Sequence, residues 1–276
     1  MNFIARLKQR WRESDSLLCV GLDPEPARFP ACLADDPDAA FAFCRDIADA
    51  TAQYACAFKP QVAHFAALGA EDALQRLIDH IHGAHPGLPV ILDAKRGDIG
   101  STARHYAAEA FDRYRADAVT VNPYLGRDAL QPFLDRADKG VVILCRTSNA
   151  GAAELQDLAV PAPGGGTRPL YQHLAETVAR DWNGHGNCAL VVGATWPDQL
   201  REVRAIVGDD LPLLVPGVGA QGGDLAAVVR NGRSADGEGL IISASRAILH
   251  ASRDDGYAAA AAAAAKALRD EINRHR

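Results

Sequence analysis

Eight short apolar runs, each followed by a stretch of different periodicity, constrain this chain more than any other feature. They are LLCVGLD (17–23), YACAFKP (54–60), PVILDAK (89–95), DAVTVNP (117–123), GVVILCRTS (140–148), CALVVGA (188–194), LPLLVPGV (211–218) and GLIISAS (239–245). Each is nearly continuously apolar rather than alternating, and a strand tolerates apolar residues on both faces only when both are covered, as in a parallel sheet. Helix-like stretches at 36–53, 62–84, 102–115, 170–182, 197–207 and 222–231 separate them. Strict alternation of eight strands with helices in 276 residues predicts the α/β class and a (β/α)8 TIM barrel, with residues 1–276 as a single domain. An open doubly wound sheet is the competing arrangement, and it lacks the G-x-G-x-x-G expected after its first strand.

In such a barrel the active site lies at the carboxyl ends of the strands, and polar residues gather there. Asp23 ends the first run, Lys59 the second, Asp93 and Lys95 the third, Asn122 the fourth, and Thr147 and Ser148 the fifth. After the fifth run comes a long polar connection, about 149–168, that ends in PAPGGGTRP and is expected to be a mobile loop beside the site.

The densest chemistry is in ILDAKRGDIGST (91–102). Asp93 and Lys95 are two apart, so on a regular strand they face the same side, about 6.6 Å apart along it. With Lys59 from the neighbouring strand and Asp98 in the following loop, two cations and two anions gather at one mouth and hold each other ionised despite partial desolvation. That array suits a reaction in which negative charge moves. A second feature is PGVGAQGGD (216–224), a glycine-rich turn from the seventh strand into a helix, followed by SASRAI (243–248) after the eighth. Loops after strands seven and eight form the usual phosphate site of this fold. Gln221 and Arg246 supply side-chain donors there, the arginine able to bind in a bidentate manner.

The net charge of −6 and pI near 5.8 argue against a surface built to neutralise nucleic-acid phosphates, so an anionic ligand must be met locally. The start, MNFIARLKQRWRESDS, is amphipathic and charged rather than signal-like. The apolar stretch 257–265 is too short to span a bilayer and, being alanine-rich, predicts a helix. Cys19, Cys56, Cys145 and Cys188 lie inside strand-like runs, where a thiol acts as a small buried hydrophobe, and no C-x-x-C pair occurs. The expectation is a cytoplasmic protein with neither membrane nor nucleic acid as a partner.

Taken together, GLDP (21–24), FKP (58–60), DAKRGDIGST (93–102), VNPYLG (121–126), RTSN (146–149), PGVGAQGGD (216–224) and SRAI (245–248) resemble the orotidine 5'-phosphate decarboxylase family, the last enzyme of UMP synthesis. The D-x-K-x-x-D element alone is shared with related sugar-phosphate enzymes; joined to FKP and PGVGAQGG it is far more specific. The resemblance implies decarboxylation of orotidine 5'-phosphate with no cofactor and no metal. It assigns Asp23 and Lys59 to ribose hydroxyls, Asp93 to the substrate carboxylate, Lys95 to protonation of C6, and Gln221 and Arg246 to the phosphate. Ser148, or the adjacent Thr147, contacts the base edge. In this family the equivalents of Asp98 and Thr102 reach the neighbouring subunit's site, which implies a homodimer with composite sites. The long segment after strand five and Ser245 in place of glycine depart from short-chain members and match a longer bacterial subgroup.

A metal-dependent sugar-phosphate lyase or decarboxylase of the same barrel type, and a non-catalytic nucleotide-binding barrel, are the rival functions. The first requires a carboxylate ligand set that the sequence does not offer. In DHIHGAHPG, His80 and His82 project to different faces of a helix, so His80, His82 and His85 are expected at a solvated helix end rather than around a metal. Trp11, Trp182 and Trp196 are expected to be packing groups.

Overall fold

The computed structural model of the chain describes residues 1–218 and 224–276. Each apolar run becomes a strand: β1 (Leu18–Leu22), β2 (Ala57–Pro60), β3 (Ile91–Arg96), β4 (Ala118–Val121), β5 (Gly140–Arg146), β6 (Cys188–Val192), β7 (Leu213–Pro216) and β8 (Leu240–Ala244). All neighbours pair in parallel, in the order β2-β1-β8-β7-β6-β5-β4-β3. The bridges Phe58 to Val90 and Gln61 to Asp93 bring β2 against β3 and close the ring. This is the expected (β/α)8 barrel. Every residue of β1, β2, β4, β6 and β8 is buried, which is why these runs carry no alternation.

The amino-terminal helix Phe3–Glu13 buries Phe3, Leu7 and Trp11. Gly140 makes this possible, because a Cβ there would come within 2.3 Å of the Phe3 ring. At the start of β4, buried Asp117 accepts the backbone N–H of Val90 at 2.8 Å, meets the His82 imidazole at 3.0 Å and pairs with Arg6 at 2.7 Å. Its carboxyl lies below the usual carboxylate range although burial pushes the other way; the His82 and Arg6 side chains and the Val90 N–H outweigh it. Charge at this end of the barrel is structural.

Several helices depart from their expected bounds. The stretch 62–84 is two helices, Val62–Ala67 and Glu71–Ala84, broken where Gly69 takes φ of +63°. The helices Gly100–Ala108 and Leu170–Thr177 each run on into a π-helical turn, Glu109–Arg113 and Val178–Trp182. The helix expected over 222–231 is Leu225–Gly232, capped by Asp224, whose carboxylate accepts the N–H of Ala227 at 3.1 Å, while 222 and 223 lie outside the described residues. The alanine-rich end lies within the helix Tyr257–His275.

The connection after β5 is built rather than plain loop. It carries a 3-10 turn (Ala150–Ala152), a helical turn (Ala153–Gln156) and an antiparallel pair of short strands, Ala159–Pro161 with Thr167–Pro169. Gly164, Gly165 and Gly166, all with positive φ, turn that hairpin, so the glycines that suggested a loop supply its bend. The cysteines singled out from the sequence are buried, free thiols. Desolvation pushes Cys19, Cys145 and Cys188 up to about 12, so they are inert at neutral pH. Among the described residues no helix is long and apolar enough to cross a membrane.

Candidate active site

Asp93 is the centre of the site. Lys59 Nζ donates to its Oδ2 at 2.7 Å, and Lys95 Nζ donates to its Oδ1 at 2.6 Å. Register places these groups together: Lys59 lies beside Gly21 of β1, and Gln61 bridges to Asp93. Lys59 and Asp93 are each only 6% exposed, whereas half of the Lys95 side chain faces outward. Burial alone would push the Lys59 ammonium down, yet the charges of Asp93 and Asp23 hold it above the usual lysine range. Burial would likewise push the Asp93 carboxyl up, and the two ammonium groups hold it well below the carboxylate range. Lys59 and Asp93 are therefore both ionised throughout the neutral range.

Regular strand geometry does not account for Lys95. Its backbone has φ of +47°, and the register between β3 and β4 shifts between Leu92 and Arg96. The ladder breaks where the polar residues begin, because their groups face a mouth and not a neighbouring strand. From this left-handed turn the ammonium reaches the Asp93 carboxylate at 2.6 Å. A positive φ in a long side-chain residue costs about 1–3 kcal/mol, so other contacts must hold it.

Asp23 follows β1 and reaches Lys59 through its field; its Oδ1 is buried with no hydrogen-bond partner among the described residues. A Cβ at Gly21 would lie 1.9 Å from Ser245 Oγ, so glycine is what lets the loop after β8 approach β1. Arg246 is exposed at the head of the short helix Arg246–Leu249, on the same side of the barrel. Gln221 lies outside the described residues. Asp98 sits in the turn after β3, where its Oδ1 accepts the N–H of Ile99 at 2.8 Å, and within this chain it does not join the Lys95–Asp93 pair. Thr102 is exposed in the first turn of Gly100–Ala108. Ser148 is half-buried against Gly193, where a Cβ would come within 2.7 Å of the Ser148 side chain.

Sequence reasoning passed over three groups that shape the site. Thr120 lies 1% exposed in β4 and donates from Oγ1 to Asp93 Oδ1 at 2.9 Å. The signal was a hydroxyl in an otherwise apolar strand. Arg146, fully buried at the end of β5, pairs with Asp157 at 3.0 Å and donates to Gln156 Oε1 at 3.3 Å. Gln156 in turn accepts the N–H of Thr147 at 2.8 Å. Trp196 is more than a packing group: it lies 4.2 Å below the Arg146 guanidinium and donates from Nε1 to Thr147 O at 3.0 Å.

The histidines need one correction. They are not simply a solvated helix end: His80 and His85 each meet Asp49 Oδ1 through Nε2 at 2.7 Å, while His82 turns to Asp117. Asp49, His80 and His85 thus bring three possible ligand atoms within 4.8 Å of one another, at hydrogen-bond separations that already satisfy the carboxylate. They sit on outer helices and not at the Asp93 array. A cavity of about 410 Å3 lined by Tyr124, Leu144, Leu155, Leu174 and Trp182 is apolar and contains none of the array residues.

A family model described as "Orotidine 5'-phosphate decarboxylase / HUMPS family" matches residues 16–262. Over 276 residues, covering all of both chains, the sequence is 61% identical to the orotidine 5'-phosphate decarboxylase of Aromatoleum aromaticum. The solved structure of Leishmania donovani OMP decarboxylase is 43% identical, with a TM-score of 0.85, covering 100% of this chain and 99% of that one. The Leishmania donovani UMP synthase structure is 44% identical with a TM-score of 0.87, and this chain covers 56% of its length.

Proposed function

Since this chain belongs to the orotidine 5'-phosphate decarboxylase / HUMPS family, we propose that it removes CO2 from C6 of orotidine 5'-phosphate to give UMP without a cofactor, with Lys95 protonating C6. It is an enzyme of the carboxy-lyase type. The observation that carries the mechanism is the Asp93 carboxylate held between the ammonium groups of Lys59 and Lys95 at the barrel mouth.

Breaking the bond between C6 and the carboxylate carbon leaves its electron pair in an sp2 orbital at C6, which the ring π system does not delocalise. The uncatalysed barrier is correspondingly high, and the protein must supply stabilisation toward the upper part of the usual ~8–23 kcal/mol. An ammonium fixed in advance stabilises the developing carbanion without reorganising at the moment of reaction. Its proton then moves from Nζ to C6, leaving a neutral amine that solvent reprotonates. Only charge that appears in the transition state is rewarded in this way. Asp93 facing the substrate carboxylate adds repulsion relieved as CO2 leaves, a smaller contribution.

The remaining assignments follow the chemistry of each group. Asp23 Oδ1, buried without a donor among the described residues, is suited to accept a ribose hydroxyl beside Lys59. Arg246 after β8, with Gln221, takes the phosphate, whose binding energy, remote from the bond that breaks, drives ordering of the site. Ser148 or Thr147 meets the base edge from the end of β5.

The working unit is a homodimer in which Asp98 and Thr102 complete the partner's site. Ile99 at 60%, Tyr124 at 79% and Leu125 at 46% exposure support this, because they place large apolar groups on adjoining loops after β3 and β4, around Asp98. Gly97 packs against Asn122 and ties those loops together. The cysteines, which are free, fit a reducing cytoplasm.

Loss of orotidine 5'-phosphate is followed spectrophotometrically with purified protein in chelator, beside Lys95→Ala. The expected result is full activity in chelator and a loss of at least ~1,000-fold in the variant. Activity abolished by chelator, or a Lys95→Ala enzyme near the parent rate, would overturn the mechanism.

A further inference from the structure

The hydroxyl of Thr120 makes three hydrogen bonds, and their directions are fixed by chemistry. The backbone N–H groups of Ala94 and Lys95 can only donate, and they do so to Oγ1 at 3.0 and 2.9 Å. The ionised carboxylate of Asp93 can only accept, and Oγ1 lies 2.9 Å from its Oδ1. Both lone pairs and the single proton of the hydroxyl are therefore committed, at a residue 1% exposed. Among the described residues no other side-chain oxygen accepts from the N–H groups of Ala94 and Lys95.

These contacts sit where the backbone is least comfortable. The register between β3 and β4 shifts over this stretch, and Lys95 holds φ of +47°. Two hydrogen bonds from consecutive N–H groups to one oxygen pin that turn. The third bond ends on Asp93 Oδ1, the atom that also receives the Lys95 ammonium. One buried hydroxyl thus sets the backbone from which Lys95 departs and the rotation of the carboxylate to which it returns.

We propose that Thr120 is a positioning residue for decarboxylation, which fixes the Lys95 turn and the Asp93 carboxylate so that the ammonium stands in place before substrate arrives. This rests on the reading that Lys95 delivers the proton to C6. The rival view is a buried strand threonine whose loss changes stability alone. The two differ in kinetics, since misplacing a preorganised group by about 1 Å can cost ~100-fold in rate, with little effect on binding made elsewhere.

The test compares the parent enzyme with Thr120→Val, Thr120→Ser and Lys95→Ala, measuring kcat, KM and the thermal unfolding midpoint of each. Valine keeps the branched shape and removes all three bonds; serine keeps the hydroxyl. The expected result is a kcat ~100-fold lower in Thr120→Val with KM within ~3-fold, and a kcat restored to within ~5-fold of the parent in Thr120→Ser. Should valine prevent folding, Thr120→Ala is judged by the same kcat and KM limits. A folded Thr120→Val or Thr120→Ala enzyme that keeps kcat within ~3-fold, or a serine variant as slow as valine, would overturn the assignment. A Lys95→Ala enzyme that stays active removes the premise instead, whatever the Thr120 variants do.

Discussion

Lys59 Nζ and Asp93 Oδ2 lie 2.7 Å apart, both almost wholly buried, at the carboxyl end of adjoining strands. Two opposite charges out of water are costly unless each is paired and hydrogen-bonded. Here the remaining oxygen of Asp93 is taken by Lys95 and Thr120, and Asp23 adds a second negative charge near Lys59. The array is thus built for charge placement and not for cohesion.

The pair has a defined pH window. Asp93 is depressed in the folded state, so its stabilising share is present above the unfolded carboxylate value of ~3.9 and fades as pH falls through the folded value. Lys59 is raised, so its share is complete below the unfolded value of ~10.4 and fades as pH rises through its folded value. Asp93→Asn leaves a buried ammonium without its carboxylate, at an expected cost of about 3–5 kcal/mol near neutrality. Urea unfolding of parent and variant should show that gap roughly constant from about pH 5 to about pH 8 and narrowing below about pH 4. A gap that widens in acid would contradict the assignment.

Composite sites can be tested by mixing defects. A subunit with Lys95→Ala lacks the acid of its own site, and one with Asp98→Ala lacks what it lends to its partner. In a heterodimer of the two, one site carries both defects and the other carries neither. Refolding them together in equal amounts should regain about a quarter of the parent activity from two nearly inactive proteins. If the mixture stays inactive while an affinity tag on one variant co-purifies the other, Asp98 acts within its own chain.

Arg246 is exposed and forms no ion pair among the described residues, so its removal costs the fold little. Arg246→Ala should lower kcat/KM by ~100-fold or more through lost phosphate binding, with an unchanged unfolding midpoint. A phosphate-free nucleoside substrate should feel the change hardly at all. Equal losses on both substrates would place Arg246 elsewhere in the mechanism.

The barrel was legible because its strands are buried on both faces, which writes them as apolar runs, and because the polar residues that end them mark the mouth. Lys59, Asp93 and Lys95 were found from that position, and the structure brings their charged ends together. The left-handed turn at Lys95 was not legible, since no glycine announces it and a distant hydroxyl, Thr120, holds it. The segment 149–168 looked like loop because its order depends on tertiary partners: Gln156 and Asp157 are fixed by Arg146, whose burial no local pattern reveals. The pairing of His80 and His85 on Asp49 was hidden for the same reason, as the acid comes from another helix.

Arg146 ties the segment after β5 to Thr147 at the end of that strand. Its guanidinium is fully buried, stacked over Trp196, and donates to Gln156, Asp157 and the carbonyl of Thr147. Gln156 and Trp196 each return a hydrogen bond to Thr147, so that residue and Ser148 are held from several sides. Arg146→Met keeps much of the length and the apolar contact with Trp196 but removes every one of those donors. Asp157 is exposed enough to be solvated once released, so the stability loss should stay near ~2 kcal/mol. The larger effect should fall on recognition of the base, raising KM by ~10-fold while kcat changes by less than ~3-fold, because Lys95 stands on another strand. Steady-state kinetics on folded Arg146→Met measures both, and a fall in kcat with KM unmoved would tie this network to the chemical step rather than to binding.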